Sequence, residues 1–189
     1  EVSALSQAGG ALLLRHAGVI AKVAVSDFNR VVFLGDGCAF GAARESALKM
    51  LEMTAGRVIT MPDTSLGLRH GPMAAIDSRT LIVAYLSPDP YIRAYQCDLL
   101  EELGRKRLGS GKLIVGARLE AVPAGENDQL IELADGAPLG DTGTAILCVM
   151  AGQLLAFFRS MHEGFQPDSP SESGVISRVV SSFTVHKRS

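Results

Sequence analysis

Short apolar runs alternate with longer stretches of helical periodicity along this chain. Five runs are short enough, and bounded closely enough by turn-forming residues, to predict strands of a mostly parallel sheet. They cover residues 31–34, 57–61, 80–86, 112–116 and 129–133. The longer stretches predict helices at residues 1–26, 40–54, 91–108 and 141–163. The alternation predicts an α/β three-layer sandwich, with about five mostly parallel strands and helices on both faces, of the flavodoxin or Rossmann type.

Turn-forming residues set the predicted boundaries of these elements. Pro62 is expected to end the second strand, and a loop is expected to follow it over residues 63–72. Asp141 or Thr142 is expected to cap the last long helix. Smaller elements are predicted as a helical turn at 72–76, a loop at 166–174, a short helix at 175–182 and a closing segment at 183–186.

A glycine loop, with Gly35, Gly37 and Gly41, joins the first strand to the next helix. Asp63 follows at a distance that would suit a dinucleotide site. The glycines, however, are spaced GxGxxxG rather than GxGxxG, so a nucleotide is the less favoured interpretation. The loop instead predicts a tight turn in which the backbone approaches a polar ligand.

The helix after this loop carries Glu45, Lys49 and Glu52 at i, i+4 and i+7, which places them on one narrow stripe. On an exposed helix such a stripe would simply form surface ion pairs. Here the other positions are mostly apolar or small, and the helix begins at the sheet edge where ligands bind in open α/β folds. We therefore expect the stripe to face inward and to perform acid/base chemistry.

His70 lies in a stiff loop beside Gly71 and Pro72. Histidine titrates near neutrality, so this residue is a candidate for proton transfer. The other histidines are predicted to be structural or on the surface: His16, His162 and His186. Cys38 lies in the glycine loop, but no neighbouring base suggests a nucleophile.

Composition narrows the class of function. The 189 residues suit one domain, and the net charge of -2 gives no electrostatic case for nucleic acid or membrane as a partner. Cys38, Cys97 and Cys148 are widely spaced, which favours reduced thiols in a cytoplasmic protein over a disulfide framework or a zinc site. No set of metal ligands is apparent, and no metal or cofactor is expected.

These motifs together resemble the sugar isomerase (SIS) domain. The family's E-x-A-L-K-x-x-E helix is matched from Glu45 to Glu52, and its HGP loop is matched by residues 70–72, followed by Asp77. The resemblance is greatest to the second SIS domain of two-domain phosphosugar isomerases, which include the isomerase half of glucosamine-6-phosphate synthase. The stretches at 87–91 and 167–171 favour the branch of tagatose/galactosamine-6-phosphate ketose/aldose isomerases and deaminases.

The resemblance implies a function and a role for each residue of the site. The protein would be a phosphosugar aldose/ketose isomerase or an amino-sugar-6-phosphate deaminase that moves a proton between C1 and C2. Glu52 would move the carbon-bound proton, Lys49 would serve the oxygen end, His70 would help to open the sugar ring, and Glu45 would hold Lys49. The residues predicted to bind the substrate are Gly35, Gly37, Cys38, Arg69 and Arg178.

The resemblance also implies a partner, and it leaves an alternative. The family forms homodimers in which the HGP histidine acts across the subunit boundary, and the apolar positions from Leu12 to Ile20 would be exposed on a monomer.

The synthase's lysine near the carboxy terminus has no counterpart at residues 178–183, which argues against a synthase. Residues 1–28 resemble a linker helix and 29–189 the second SIS domain of a longer enzyme. The alternative is a regulatory SIS module that binds a phosphosugar without catalysis.

Overall fold

Strands and helices alternate in the structure, as the sequence predicts. The computed structural model describes residues 2–133, 139–168, 184 and 186–187. Its elements, in chain order, are α1 (Val2–Ala24), β1 (Arg30–Gly35), α2 (Cys38–Met53), β2 (Ile59–Asp63), α3 (Ser65–Arg69), a 3₁₀ turn (Pro72–Ala75), β3 (Thr80–Leu86), α4 (Pro90–Arg105), β4 (Gly111–Gly116), β5 (Gln129–Glu132) and α5 (Asp141–His162). The predicted elements at 175–182 and 183–186 fall on a part of the chain that is largely outside these residues.

The five described strands form one parallel sheet in the order β2-β1-β3-β4-β5. This is the order of flavodoxin-like folds, and the predicted fold class is confirmed. The strand order reverses between β1 and β3, which pair with Phe33 opposite Val83. In open sheets of this kind, the crevice outside the carboxyl ends of the two strands at the reversal is the usual place for a ligand.

Successive residues of a strand point to opposite faces of the sheet, so alternate side chains pack into two separate hydrophobic cores. From β1, Val31 and Phe33 enter one core, and Val32 and Leu34 enter the other. The first core is covered by α1, α2 and α5. The second is covered by α3, the 3₁₀ turn and α4. The sheet is therefore the middle layer of a three-layer sandwich.

Several predicted boundaries differ from the observed ones. Strand β2 begins at Ile59 and continues through Pro62, which pairs with Phe33. A proline is tolerated there because β2 is an edge strand and needs ladder hydrogen bonds on one side only. Neither Asp141 nor Thr142 caps α5, whose N-cap is Gly140 without a side-chain hydrogen bond.

The segment predicted as a loop contains the short helix α3. Thr64 begins this helix, and its side chain accepts a hydrogen bond from the Gly67 amide. The sequence pattern missed α3 because five residues are too few to show a helical period. The predicted helical turn after it is confirmed as the 3₁₀ turn.

Helix α1 packs on α5 rather than projecting from the domain. Leu12 and Ile20 are buried in the first core, so the expectation that the apolar stretch from Leu12 to Ile20 would be exposed on a monomer is wrong for its two ends. Leu13 and Leu14, between them, are exposed as expected. Arg159 of α5 holds the chain that follows α1, since its guanidinium donates to the carbonyl oxygens of Ala24 and Phe28 at 3.0 and 2.7 Å. The division into a linker helix (1–28) and a domain (29–189) stays a prediction.

Helix α5 is the one helix among the described residues that is long and apolar enough to cross a membrane by length and composition alone. Half of that stretch is buried inside the protein. A core helix passes the same test, and α5 contributes Leu147, Ala151 and Leu155 to the first core. Its apolar character is therefore explained by its place beside the sheet.

Candidate active site

The predicted acid/base stripe is half-buried and lies along the side of α2, between its buried face and its exposed face. Lys49 Nζ donates a hydrogen bond to Glu52 Oε2 at 2.8 Å, while Glu45 Oε1 lies 3.7 Å from Lys49 Nζ. Glu52 is thus the nearer partner of the lysine, and Glu45, which the resemblance implies would hold Lys49, forms a longer ion pair with it. The three side chains are 36, 32 and 40% exposed, in chain order. The expectation that the stripe faces inward is wrong, because the small residues of α2 occupy the inner face.

The neighbouring carboxylates favour the protonated form of Lys49. Its hydrogen bond to Glu52 raises the pKa of Lys49 above the ordinary value for lysine, and the charges of Glu52 and Glu45 act in the same direction. The amine therefore stays protonated at neutral pH. It can donate a proton or stabilise a developing oxyanion, and the adjacent carboxylate can accept a proton from carbon.

The glycine loop lies at the opposite end of α2, at the carboxyl end of β1. A side chain at Gly35 would collide with the backbone carbonyl of Ala39, so this glycine permits the close approach of α2 to the strand. Gly37 has φ +57° and open space around it. The backbone conformation, rather than a lack of space for a side chain, therefore favours glycine at this position. Cys38 is exposed at the first turn of α2. The substrate contacts predicted for these three residues remain predictions.

His70 is exposed at the end of α3, where its backbone amide donates to the Gly67 carbonyl oxygen at 3.0 Å. Arg69, whose predicted substrate contact stays a prediction, pairs with Glu102 of α4 at 2.9 Å. This pair ties α3 to α4 and occupies part of the guanidinium. Arg178, the last predicted substrate contact, lies outside the described residues.

The structure separates the stripe from the histidine within one chain. Glu52 lies in the last turn of α2, just before Ile59 begins β2 at the amino-terminal edge of the sheet. His70 follows the carboxyl end of β2, and α3 packs with α4 over the second core. The stripe therefore lies towards the amino-terminal ends of the strands and His70 towards their carboxyl ends. The helices that carry them cover opposite faces of the sheet.

Comparison with known proteins shows which sequences and structures this chain resembles. The chain is 40% identical over 160 residues to D-galactosamine-6-phosphate deaminase AgaS of Escherichia coli O157:H7, covering 84% of this chain and 41% of that protein. The crystal structure of tagatose-6-phosphate ketose/aldose isomerase from Escherichia coli superposes with a TM-score of 0.78 at 33% identity, over 95% of this chain and 47% of the other. The chain has the SIS-type phosphosugar isomerase fold.

Other comparisons agree with this SIS fold. The C-terminal domain of glucosamine-fructose-6-phosphate aminotransferase from Francisella tularensis has the same fold, with a TM-score of 0.72 at 23% identity over 87% of this chain and 43% of that one. No protein-family model matches the chain. The chain spans about two-fifths of the length of the deaminase that it matches.

Sequence reasoning missed a polar network at the switch point of the SIS domain. Asp36 follows β1 and Ser87 follows β3, and the side chain of Gln96 from α4 joins them. Asp36 also bonds to Ser65, and the Ser87 hydroxyl donates to Asp141 at 3.1 Å. A signal was present, because Asp36 and Ser87 directly follow two buried strands. Only the strand order could show that these two strands are neighbours.

Among the described residues, no group of three or more His, Cys, Asp and Glu side chains is arranged to hold a metal ion. The described acid/base groups are instead the ion-paired stripe of α2 and the exposed His70.

Proposed function

We propose that the protein is a phosphosugar aldose/ketose isomerase or an amino-sugar-6-phosphate deaminase. The observation that carries this is the 40% identity to a D-galactosamine-6-phosphate deaminase, over a chain in which the Lys49–Glu52 pair is formed. The substrate is a phosphorylated sugar or amino sugar, and the reaction needs no cofactor. A cytoplasmic location suits the three free cysteines.

The proposed chemistry is proton transfer between C1 and C2 through an enediol or enolamine. Glu52 removes the carbon-bound proton and returns it to the neighbouring carbon. The protonated Lys49 stabilises charge at the oxygen end, and His70 helps to open the sugar ring. Glu45 supports Lys49 as a second, more distant carboxylate. With an amino sugar, protonation of the enolamine at C1 gives an imine at C2, and addition of water to this imine breaks the C–N bond to give the ketose and ammonia.

We propose that another protein surface completes this site. The side chains of the stripe are about one-third exposed, whereas catalytic groups of this kind act best where water is excluded. The opposite placement of His70 supports a homodimer in which the histidine serves the stripe of its partner. It also supports poor catalysis by this chain alone, because binding of the remote phosphate normally orients the reacting carbons.

Replacement of the proposed base tests the function. In the full-length protein, Glu52→Gln should lower kcat on galactosamine-6-phosphate and tagatose-6-phosphate by on the order of 10²–10⁴-fold, because a positioned base is lost. Thermal unfolding should stay nearly unchanged, since the side chain is on the surface. Glu45→Gln is the matched control and should have a much smaller effect on kcat.

Two results would contradict the proposal in different ways. Near-wild-type kcat in Glu52→Gln would remove this residue from the mechanism. Binding of both phosphosugars by the wild-type protein without turnover would instead favour the regulatory SIS module.

A further inference from the structure

The short helix that carries His70 is held in place by the switch-point network. A five-residue helix is far below the length at which helices are stable alone, so its conformation depends on tertiary contacts. Leu68 of α3 is fully buried and supplies the apolar contact of this helix with the second core. Polar contacts at the two ends of the helix add to this apolar contact.

The first polar contact is made by Asp36, in the loop after β1. Its Oδ2 accepts a hydrogen bond from the Ser65 hydroxyl at 2.5 Å, and its Oδ1 accepts one from the Ser65 amide at 3.1 Å. Ser65 is buried, and it is the first residue of α3. Hydrogen bonds to a charged group are stronger than neutral ones, so this pair of bonds firmly ties α3 to β1.

Gln96 fixes the Asp36 carboxylate in turn. Its Nε2 donates to Asp36 Oδ2 at 2.9 Å and to the Tyr85 carbonyl oxygen at 3.1 Å, and its Oε1 accepts from the Ser87 amide at 2.8 Å. The buried amide thus uses both its donors and its acceptor on groups at the ends of β1 and β3. Asp36 cannot move without breaking these bonds.

The second polar contact, at the other end of α3, is the ion pair of Arg69 with Glu102. Glu102 also accepts a hydrogen bond from Lys106 at 2.6 Å, one turn along α4. His70 directly follows Arg69 and is exposed, so its place depends on both contacts.

From this arrangement we infer that Asp36 is a positioning residue for His70. It acts through Ser65 and α3, and it touches no reacting atom. The inference depends on the proposed function for the catalytic role of His70, while the anchoring of α3 stands on the contacts alone. A catalytic group displaced by 1 Å can lose on the order of 10²-fold in rate, so the loss of this anchor should be visible in turnover.

The anchoring is tested first by hydrogen exchange of the 189-residue chain. Ser65→Ala removes one hydroxyl and should speed exchange of the amides at 66–70. Asp36→Asn keeps the size of the side chain and should have a similar effect. Ser87→Ala is the matched control, since it removes a hydroxyl at the same end of the sheet that bonds to Asp141 and to the Asp89 amide and not to Asp36. Unchanged exchange at 66–70 in both Ser65→Ala and Asp36→Asn would overturn the inference.

A double-mutant cycle in the full-length protein then tests the catalytic consequence. Ser65→Ala should lower kcat by on the order of 10-fold in the wild-type background and should have almost no effect on a His70→Ala background. Any effect of Ser87→Ala should be the same in both backgrounds. Equal losses from Ser65→Ala in both backgrounds, with His70→Ala itself impaired, would overturn the positioning role. A fully active His70→Ala variant would instead contradict the role of His70 in the proposed function.

Discussion

The two helices that carry the predicted acid/base groups are held in different ways. Helix α2 has 16 residues, and its inner face of small side chains packs closely on α5. At the crossing, Ser46 bonds to the buried Tyr85 hydroxyl at 2.7 Å, and Gly152 of α5 leaves space for both. Helix α3 has five residues, and polar contacts at Ser65 and Arg69 hold its ends.

This difference shows how one domain can present two kinds of functional group. The stripe of α2 needs no dedicated anchor, because the packing that fixes the helix is part of the core. His70 lies on an element that the core alone does not orient, so it depends on hydrogen bonds from other loops. Substitutions near α2 should therefore affect the stability of the whole domain, and those near α3 should affect local order.

A mixed dimer would show whether the two helices serve one site from different subunits. One subunit carries His70→Ala and the other Glu52→Gln, each with its own affinity tag. If His70 acts across the boundary, each heterodimer keeps one intact site and should recover about half of the wild-type turnover, by the two-fold symmetry. Turnover no higher than that of the His70→Ala homodimer would mean that each site uses the histidine and glutamate of its own chain.

Filling the space at Gly152 would test the packing of α2 on α5. An added Cβ would collide with the Ser46 hydroxyl and lie 2.6 Å from the Tyr85 hydroxyl. Gly152→Ala should therefore lower the free energy of unfolding by about 1–3 kcal/mol in denaturant titrations. Gly18→Ala is the control, because that glycine lies within α1 with open space around it, and it should stabilise by about 0.5–1 kcal/mol. A stable Gly152→Ala variant would show that α5 can shift away from α2 at little cost.

The buried Tyr85 should make this crossing sensitive to alkaline pH. Burial raises the pKa of Tyr85 well above its ordinary value of 10.0. In the unfolded chain the phenol ionises near that ordinary value, while the folded chain keeps its proton. The unfolded state then binds fewer protons, so the free energy of unfolding should fall above about pH 10, by up to about 1.4 kcal/mol per pH unit.

Tyr85→Phe provides the comparison for this pH dependence. It should cost about 1 kcal/mol near neutral pH, through loss of the bond to Ser46, and it should weaken the fall above pH 10. Denaturant titrations of both proteins at pH 7 and pH 10.5 measure the difference. Parallel pH profiles for the two proteins would show that other groups govern alkaline unfolding.

The sequence alone determined the fold class and the candidate groups. Short apolar runs such as 80–86 predict buried strands because a strand covered on both faces has no polar side. The spacing of Glu45, Lys49 and Glu52 placed them on one stripe, because the period of a helix is fixed by its backbone. Local geometry was sufficient for these predictions, and the structure contains the strand and the stripe.

Only the tertiary structure decided which way the stripe faces and what it can reach. The direction of α2 depends on where its small residues meet α5, a contact between residues more than 100 positions apart in the chain. The network of Asp36, Ser65 and Gln96 depends equally on a strand order that reverses between β1 and β3. The periodicity of a segment reports its own conformation and not its neighbours, so these long-range contacts had to come from the packed fold.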